Sequence, residues 1–395
     1  MRALYNISIW CYLIVIYIAA LFHPLAKLWV EGRRDIYPKL KEKLLKSKNI
    51  VWIHCASLGE FEQGRPIIEA YKSKHKNHQL LLTFFSPSGF KIKKNTSLVN
   101  WVFYLPIDTK ANVKKFVTLV KPIKVLFIKS EFWFNYMHEI KKQKIPFYSI
   151  STSFRDQQYF FKYKWFAKQL QNVSHFFVQD KRSAQLLKSI NINNYTISGD
   201  TRFDRVIKNV EQRVDIPLIK RFSSKKPTII CGSTRPKDEK ILIKYIKENM
   251  GKHYIIAPHE LNNIDNLRSQ TNALLYSTAN NNNILTSNVL IIDNIGLLSN
   301  IYQYGDIAYI GGGFDSGIHN ILEPVAFGLP VIFGPNFKKS NEAIALIMKK
   351  GAISISNYKE LNSAINIVKN FKKSIALNYI EENSGATKKI LPSII

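Results

Sequence analysis

The sequence has 395 residues, 46% of them hydrophobic and 22% charged, which is enough for two domains with buried cores and excludes a disordered, collagen-like or disulfide-scaffold chain. Its 57 Lys and Arg outnumber 28 Asp and Glu, giving a net charge of +29, a surplus that favours nucleic acid, an anionic membrane face or a phosphorylated substrate as partner. Three well-separated cysteines (Cys11, Cys55 and Cys231) indicate neither a zinc site nor a disulfide framework.

The chain opens with an uncharged stretch. Residues 7–26 contain no Asp, Glu, Lys or Arg and are long enough to cross a bilayer core as a helix. A signal peptide is one alternative, although no small-x-small cleavage site follows, and a buried or monotopic helix is another. Eight basic residues come next: Lys27, Arg33, Arg34, Lys39, Lys41, Lys43, Lys46 and Lys48. The sequence therefore predicts that residues 1–30 are a membrane anchor, with the rest of the chain in the cytoplasm beside an anionic leaflet.

After residue 49, short apolar runs alternate with amphipathic stretches. Strands are predicted at residues 50–55, 79–84, 101–105, 124–128, 146–150, 176–179 and 195–198, and helices at 62–74, 112–120, 132–142 and 181–190. Apolar strands separated by helices are typical of a parallel sheet that is covered on both faces.

A second series of the same kind begins after a polar join at 203–227. Its predicted strands are 228–231, 254–257, 289–292, 307–310 and 331–333, and its predicted helices are 237–248, 297–304, 320–327 and 341–349. The two series indicate two doubly wound α/β domains, residues 31–205 and 206–395, which face a cleft with ligands at the carboxyl ends of the strands.

Two acidic motifs follow strands of the first series. SLGE at 57–60, with Ser57 and Gly59, opens a helix, where the helix dipole favours the carboxylate of Glu60. Glu60 is either a helix-capping acid or a general base that takes a proton from an attacking hydroxyl. SEFW at 130–133 places Glu131 after the fourth strand, so that two acids are expected at neighbouring strand ends. Arg202, after the last strand, offers a fork to a phosphate or carboxylate, or forms an interdomain salt bridge.

The loops of the second series are rich in small residues. CGSTR at 231–235, with Ser233 and Thr234, has the exposed amides that suit a phosphate. Neither a Walker lysine pattern nor G-x-G-x-x-G after a strand is present, which argues against a P-loop NTPase or an NAD enzyme. The strongest segment is GGGFDSGIHNILEP at 311–324, where glycines such as Gly312 allow close backbone approach and a helix is expected from His319–Asn320. Glu323, one turn in, is placed to accept the hydroxyls of a ribose.

These motifs, in this order, resemble the 3-deoxy-D-manno-octulosonic acid (Kdo) transferases of lipopolysaccharide assembly, which are glycosyltransferases of the GT-B architecture. The resemblance covers nearly the whole chain and implies inverting transfer of Kdo from CMP-Kdo to a lipid A precursor. It implies that Glu60 is the catalytic base and that Glu131 and Arg202 help to stabilise the transition state. The positions implied for holding CMP-Kdo are Pro258, His259, Ile295, Gly296, Leu297, Asn320, Ile321, Leu322 and Glu323.

The resemblance also implies partners and a location. The expected partners are CMP-Kdo, a lipid A precursor and anionic inner-membrane lipids, without nucleic acid, and the enzyme is expected to need no metal or other cofactor. Several positions depart from the family pattern: Arg202 replaces a common Lys, Pro258 a basic residue, Leu297 an acid and Ile318 a glycine. Two alternatives stay open: a GT-B enzyme that uses another nucleotide sugar, and a non-enzymatic basic membrane-associated binding protein.

Overall fold

The computed structural model describes all 395 residues and divides into two compact units. Unit 1 contains residues 1–205 and 384–395, and unit 2 contains residues 206–383. The sequence analysis assigned residues 384–395 to the second domain. They belong to unit 1 instead, because Ile390, Leu391 and Ile394 pack into its hydrophobic core.

The core of unit 1 is a seven-stranded parallel sheet in the order β3-β2-β1-β4-β5-β6-β7. Its strands are β1 (Ile50–Cys55), β2 (Gln79–Phe84), β3 (Trp101–Tyr104), β4 (Lys124–Ile128), β5 (Phe147–Thr152), β6 (His175–Val178) and β7 (Tyr195–Ile197). The strand order reverses between β1 and β4. In doubly wound sheets, that reversal opens a crevice at the carboxyl ends of the two strands.

Helices cover both faces of this sheet. The helices of this part of the chain are α1 (Arg2–Ala19), α2 (Pro24–Glu31), α3 (Ile36–Leu44), α4 (Leu58–Lys74), α5 (Pro87–Lys93), α6 (Lys110–Val120), α7 (Phe134–Lys142), α8 (Tyr159–Lys162), α9 (Lys164–Leu170), α10 (Lys181–Ser189) and α11 (Thr201–Glu211), which continues from unit 1 into unit 2. Trp52 packs on Phe116 and Tyr136 on one face, and Ile53 lies with Phe61 on the other. This two-sided burial explains why the strands are apolar without interruption.

Unit 2 has a second seven-stranded parallel sheet, in the order β10-β11-β9-β8-β12-β13-β14. Its strands are β8 (Thr228–Thr234), β9 (His253–Pro258), β10 (Leu274–Leu275), β11 (Val289–Ile291), β12 (Ile307–Ile310), β13 (Val331–Phe333) and β14 (Ala352–Ser354). Its helices are α12 (Pro217–Ser223), α13 (Pro236–Glu248), α14 (Ile264–Thr271), α15 (Leu298–Ile301), α16 (Leu322–Ala326), α17 (Asn341–Met348), α18 (Tyr358–Val368) and α19 (Lys373–Asn383), after which α20 (Ala386–Ile394) completes unit 1. Short 3-10 turns lie at Leu261–Asn263, Tyr276–Thr278 and Tyr302–Tyr304. The prediction of two doubly wound α/β domains is confirmed.

Three local predictions were wrong. The stretch 203–227 is not simply a polar join, because it contains most of α11 and all of α12, which buries Ile219 and Phe222. The helix expected from residue 320 begins at Leu322. Residues 7–26 are not one helix: α1 ends at Ala19 and α2 begins at Pro24, since proline has no N–H to continue a helix. By length and composition, α1 is the one helix that passes the test for a membrane span.

Candidate active site

Glu60 lies at the start of α4, at the carboxyl end of β1. The Ser57 hydroxyl caps the helix by accepting the Glu60 N–H at 3.4 Å, and the Glu60 carboxylate accepts the Ala56 N–H at 2.5 Å. The side chain is nearly buried, with 9% of its surface exposed. Burial raises the pKa of the Glu60 carboxyl, while the Ala56 N–H bond and the charge of Lys129 oppose the rise. Gly59 leaves open space beside this cap, since an added Cβ would come no nearer to Ser57 Oγ than 3.9 Å.

Glu131 follows β4, the strand that pairs with β1 at the reversal of the sheet. Burial, and then the charge of Glu60, raise the pKa of the Glu131 carboxyl to about 7. The indole N–H of Trp133 donates to Glu131 at 3.1 Å and opposes this rise. The sequence places the two acids at neighbouring strand ends, and the structure brings them close enough to repel each other.

Lys129 is a member of this cluster that the sequence analysis missed. It follows β4 with a positive φ of 67°, and its backbone N–H donates to the carbonyl of Ile150 at 2.7 Å. Its ammonium charge lowers the pKa of both Glu60 and Glu131, which partly offsets their burial. A lysine directly before the SEFW motif was the available signal.

Arg202 lies in the first turn of α11 and pairs with Asp200, its Nε and Nη2 donating to Asp200 Oδ2 at 2.8 and 2.7 Å. Asp200 also accepts a hydrogen bond from Gln63 Nε2 at 3.0 Å, and the Thr201 hydroxyl donates to the Gln63 carbonyl at 2.5 Å. Gln63 is on α4, one turn after Glu60. The Asp200–Arg202 pair is therefore attached to the helix that carries Glu60.

In unit 2, a buried carboxylate connects the loops after β8 and β12. Asp238 accepts hydrogen bonds from the Gly312 N–H at 2.9 Å, the Arg235 N–H at 3.0 Å and the Tyr309 hydroxyl at 2.8 Å. Gly312 has a positive φ of 88°, and a Cβ on Gly311 would lie 2.2 Å from the Ser233 carbonyl oxygen. The glycines are thus required by the close approach of the two loops.

Two histidines stack beside these loops. His259, directly after Pro258 at the end of β9, and His319 have ring centroids 4.4 Å apart, and Arg235 Nε lies 3.5 Å from His319 Nε2. The His259 N–H donates to the carbonyl of Thr234 at 2.9 Å, which connects two of the predicted positions. Burial, and then the charges of His259 and Arg235, lower the pKa of His319 to about 4. The imidazole of His319 is therefore neutral near pH 7, and Arg235 carries the positive charge.

The remaining predicted positions divide by exposure. Ile321 and Leu322 have 1% and 0% of their surface exposed, so their side chains belong to the core, and a ligand could meet only their backbone. The Asn320 side chain accepts the Leu322 N–H at 3.1 Å and donates to Glu323 at 3.2 Å.

Residues 295–297 form a turn before α15. Ile295 is 85% exposed and Gly296 has a φ of 104°. Leu297 is the residue that caps α15. The first residue of that helix, Leu298, lies against Gly232 at the end of β8.

Comparison with known proteins shows which sequences this chain is similar to. Residues 30–205 match the family model described as 3-deoxy-D-manno-octulosonic-acid transferase (kdotransferase). A 3-deoxy-D-manno-octulosonic acid transferase of Rickettsia bellii is 29% identical over 372 residues, covering 89% of this chain and 88% of the relative. That of Aquifex aeolicus is 28% identical, covering 88% and 93%. The resemblance to Kdo transferases is thus confirmed over nearly nine-tenths of the chain. These similarities identify the chain as a glycosyltransferase, as the sequence motifs predicted.

Solved structures agree on the fold of this chain. A putative UDP-N-acetylglucosamine 2-epimerase from Listeria monocytogenes has a TM-score of 0.61 at 13% identity, covering 88% of this chain and 96% of that one. MurG of Acinetobacter baumannii has a TM-score of 0.55 at 12% identity, covering 88% and 99%. At these identities the similarity shows the GT-B fold alone.

Proposed function

We propose that this enzyme transfers Kdo from CMP-Kdo to a lipid A precursor, with inversion and with Glu60 as the general base. The relatives support the donor sugar. The observation that carries the chemistry is the pair of carboxyls at adjacent strand ends of unit 1, Glu60, which is nearly buried, and Glu131, which is half-buried.

In the proposed step, a sugar hydroxyl of the acceptor attacks the anomeric carbon of Kdo. The new C–O bond forms as the hydroxyl proton moves to the Glu60 carboxylate. The bond from the anomeric carbon to the phosphate oxygen breaks, and its electron pair leaves on CMP. A raised pKa suits Glu60 to this role because a base works best when its pKa approaches the working pH.

Glu131 and Arg202 have different supporting roles in this proposal. With a pKa of about 7, Glu131 is partly protonated near neutral pH and is able to donate a hydrogen bond to the reacting groups. Arg202, held by Asp200, adds positive charge at the end of β7. Both would favour the charge that develops in the transition state.

The loops of unit 2 have the chemistry to bind the leaving CMP. Ser233 and Thr234 end β8, and Arg235, the next residue, lies against the His259–His319 stack. An anionic phosphate is stabilised by such donors without any need for a carboxylate nearby. Asn320 and Glu323 supply polar side chains for the nucleoside.

The surface of α1 supports attachment to the inner membrane. One face packs along unit 1: the Tyr5 hydroxyl donates to Asp108 at 2.5 Å, Asn135 donates to Asn6 at 2.9 Å, and Ile9 is buried. The outward face is apolar and exposed, and its residues include Leu4, Ile7 and Val15. We propose that this face enters the cytoplasmic leaflet, while the basic residues that follow contact anionic lipid headgroups.

The decisive experiment measures transfer of labelled sugar to a lipid A precursor, with CMP-Kdo generated in situ. Wild type should form product, whereas Glu60→Gln should lose transfer and keep its affinity for CMP. Glu139→Gln, a charge-neutralising change on α7 at a side chain that contacts Gln143, is the matched control and should stay active. Transfer from a UDP- or ADP-sugar instead of CMP-Kdo would overturn the assignment of the donor. Normal turnover by Glu60→Gln would overturn the assignment of Glu60 as the base.

Membrane attachment has a separate test. The double substitution Ile7→Glu and Val15→Glu should release the protein from anionic vesicles. Transfer to a detergent-solubilised acceptor should stay intact. Undiminished sedimentation with the vesicles would contradict the role assigned to the outward face.

A further inference from the structure

An open groove of about 740 Å³ runs between α1 and the start of α3 in unit 1. Its α1 side is formed by Trp10, Leu13, Ile14, Tyr17 and Ile18, and its opposite side includes Ile36, Pro38 and Lys115. The volume is in the range of small-molecule sites, about 300–1,000 Å³. Its lining is predominantly apolar, with Arg33, Asp35 and Lys115 as its charged members.

Arg33 at this groove is a cation without an acidic partner. Its guanidinium donates to the carbonyls of Leu105, Trp29 and Phe85 at 2.8–3.0 Å, and it stands 3.6 Å from the centre of the Trp29 ring. No carboxylate lies within ion-pair distance of it, and burial lowers its pKa to about 9. Carbonyl oxygens and rings stabilise this charge only partly, so the site is complementary to an anion.

The groove also connects with the acid pair. Trp29, which lines it, packs edge-on against Phe85 at 5.6 Å between ring centres, and Phe85 packs against Trp133 at 4.8 Å. Trp133 is the residue that donates to Glu131. Three contiguous aromatic rings thus join the groove to the carboxyl ends of β1 and β4.

We propose that the groove between α1 and α3 holds an acyl chain of the phosphorylated glycolipid acceptor, and that Arg33 faces the acceptor's anionic headgroup. The inference rests on the proposed function, since it names how that acceptor is held. An acyl chain matches the apolar walls, a phosphate matches the unpaired guanidinium, and the aromatic contacts lead from the groove to the acids. The proposed occupant of the groove is thus the acceptor. The tests below distinguish it from a bilayer phospholipid bound in the same groove.

The first test narrows the groove without changing the membrane-facing side of α1. Ile14 lines the groove and Leu21, just beyond α1, does not, yet both side chains are exposed, at 59% and 76%. Ile14→Trp should raise KM for an acylated acceptor about tenfold with kcat unchanged, and leave KM for the deacylated headgroup unaltered. Leu21→Trp should change neither. Equal effects of the two variants, or no effect of Ile14→Trp, would overturn the proposal.

A second test needs no turnover. Full-length protein in phosphatidylglycerol nanodiscs is photolysed with an acceptor that carries a diazirine on one acyl chain, and the crosslinks are mapped. Crosslinks at Ile36, Pro38 or Lys115, reduced in Ile14→Trp, would support the groove even if the transfer assay failed. Crosslinks confined to the outward face of α1 would overturn the proposal. Equal labelling of Ile36, Pro38 or Lys115 by a diazirine phosphatidylglycerol that the acceptor does not displace would also overturn it.

Discussion

The strand ends of the two units carry opposite chemistry on the same fold. Those of unit 1 hold carboxyls, Glu60 and Glu131, whose pKa values are raised by burial. Those of unit 2 hold glycines, Arg235 and two histidines whose pKa values are lowered, so the imidazoles are neutral. Unit 1 is suited to accepting and donating protons, and unit 2 is suited to binding an anion. The difference shows that a doubly wound sheet fixes where a site lies, while the loop residues determine what it does.

The largest effect expected from this contrast is on turnover at unit 1. Glu131→Gln should lower kcat about 100-fold, because a positioned, partly protonated acid is replaced by an amide that cannot exchange a proton. The affinity for CMP should stay at the wild-type value, since no carboxyl of unit 1 is assigned to CMP binding. Steady-state kinetics and calorimetric titration with CMP give the two quantities. A loss of CMP affinity with unchanged kcat would reverse the assignment of the units.

A smaller effect is expected in unit 2, on binding rather than on turnover. Asp238→Asn removes an acceptor from three donors that position the loops after β8 and β12, leaving at least one poorly satisfied. The Kd for CMP should rise about tenfold, with kcat at saturating donor nearly unchanged. Asp265→Asn, at an exposed carboxylate in α14, serves as the control. A Kd for CMP equal to that of wild type would show that Asp238 does not position these loops for a ligand.

The smallest effect is on stability and depends on pH. The folded pKa of Glu131 is about 7, against an ordinary value of 4.5. Between these values the folded state holds the proton more tightly than the unfolded state, so this group makes the free energy of unfolding fall as pH rises through the window. Glu131→Gln should therefore reduce the loss of stability between pH 5 and pH 7.5, as measured by urea denaturation at both pH values. An unchanged difference between the two pH values would show that the carboxyl is not protonated in this window.

The sequence predicted the sheets well, because fully buried strands are apolar runs that need no partner to be recognised. It missed β10 and β14, which are short edge strands with only one buried residue between them, Ala352. It also overlooked α12, because only Ile219 and Phe222 are buried there. Whether α20 packs on unit 1 or unit 2 depends on which hydrophobic core buries Ile390, and no local sequence pattern predicts this.

For the candidate site, residues that follow strands could be anticipated, and supporting residues could not. Glu60 and Glu131 could be predicted because two acids at neighbouring strand ends are more informative than either acid alone. Lys129 and Trp133 act on those acids through the fold, by charge and by one hydrogen bond, and a sequence does not display such contacts. Asp238 resembles an ordinary helix-capping acid, and only the structure shows that it also holds the Gly312 loop.

The return of α20 to unit 1 has a consequence for how the chain is made. All of unit 2 leaves the ribosome before Ile390, Leu391 and Ile394 are available, although these residues fill part of the first core. The core of unit 1 therefore stays incomplete beside α4 while unit 2 is synthesised and folds. Nascent unit 1 would be most exposed to chaperones and proteases during this interval. An affinity tag placed after α20 would lie beside the last helix to fill the core of unit 1.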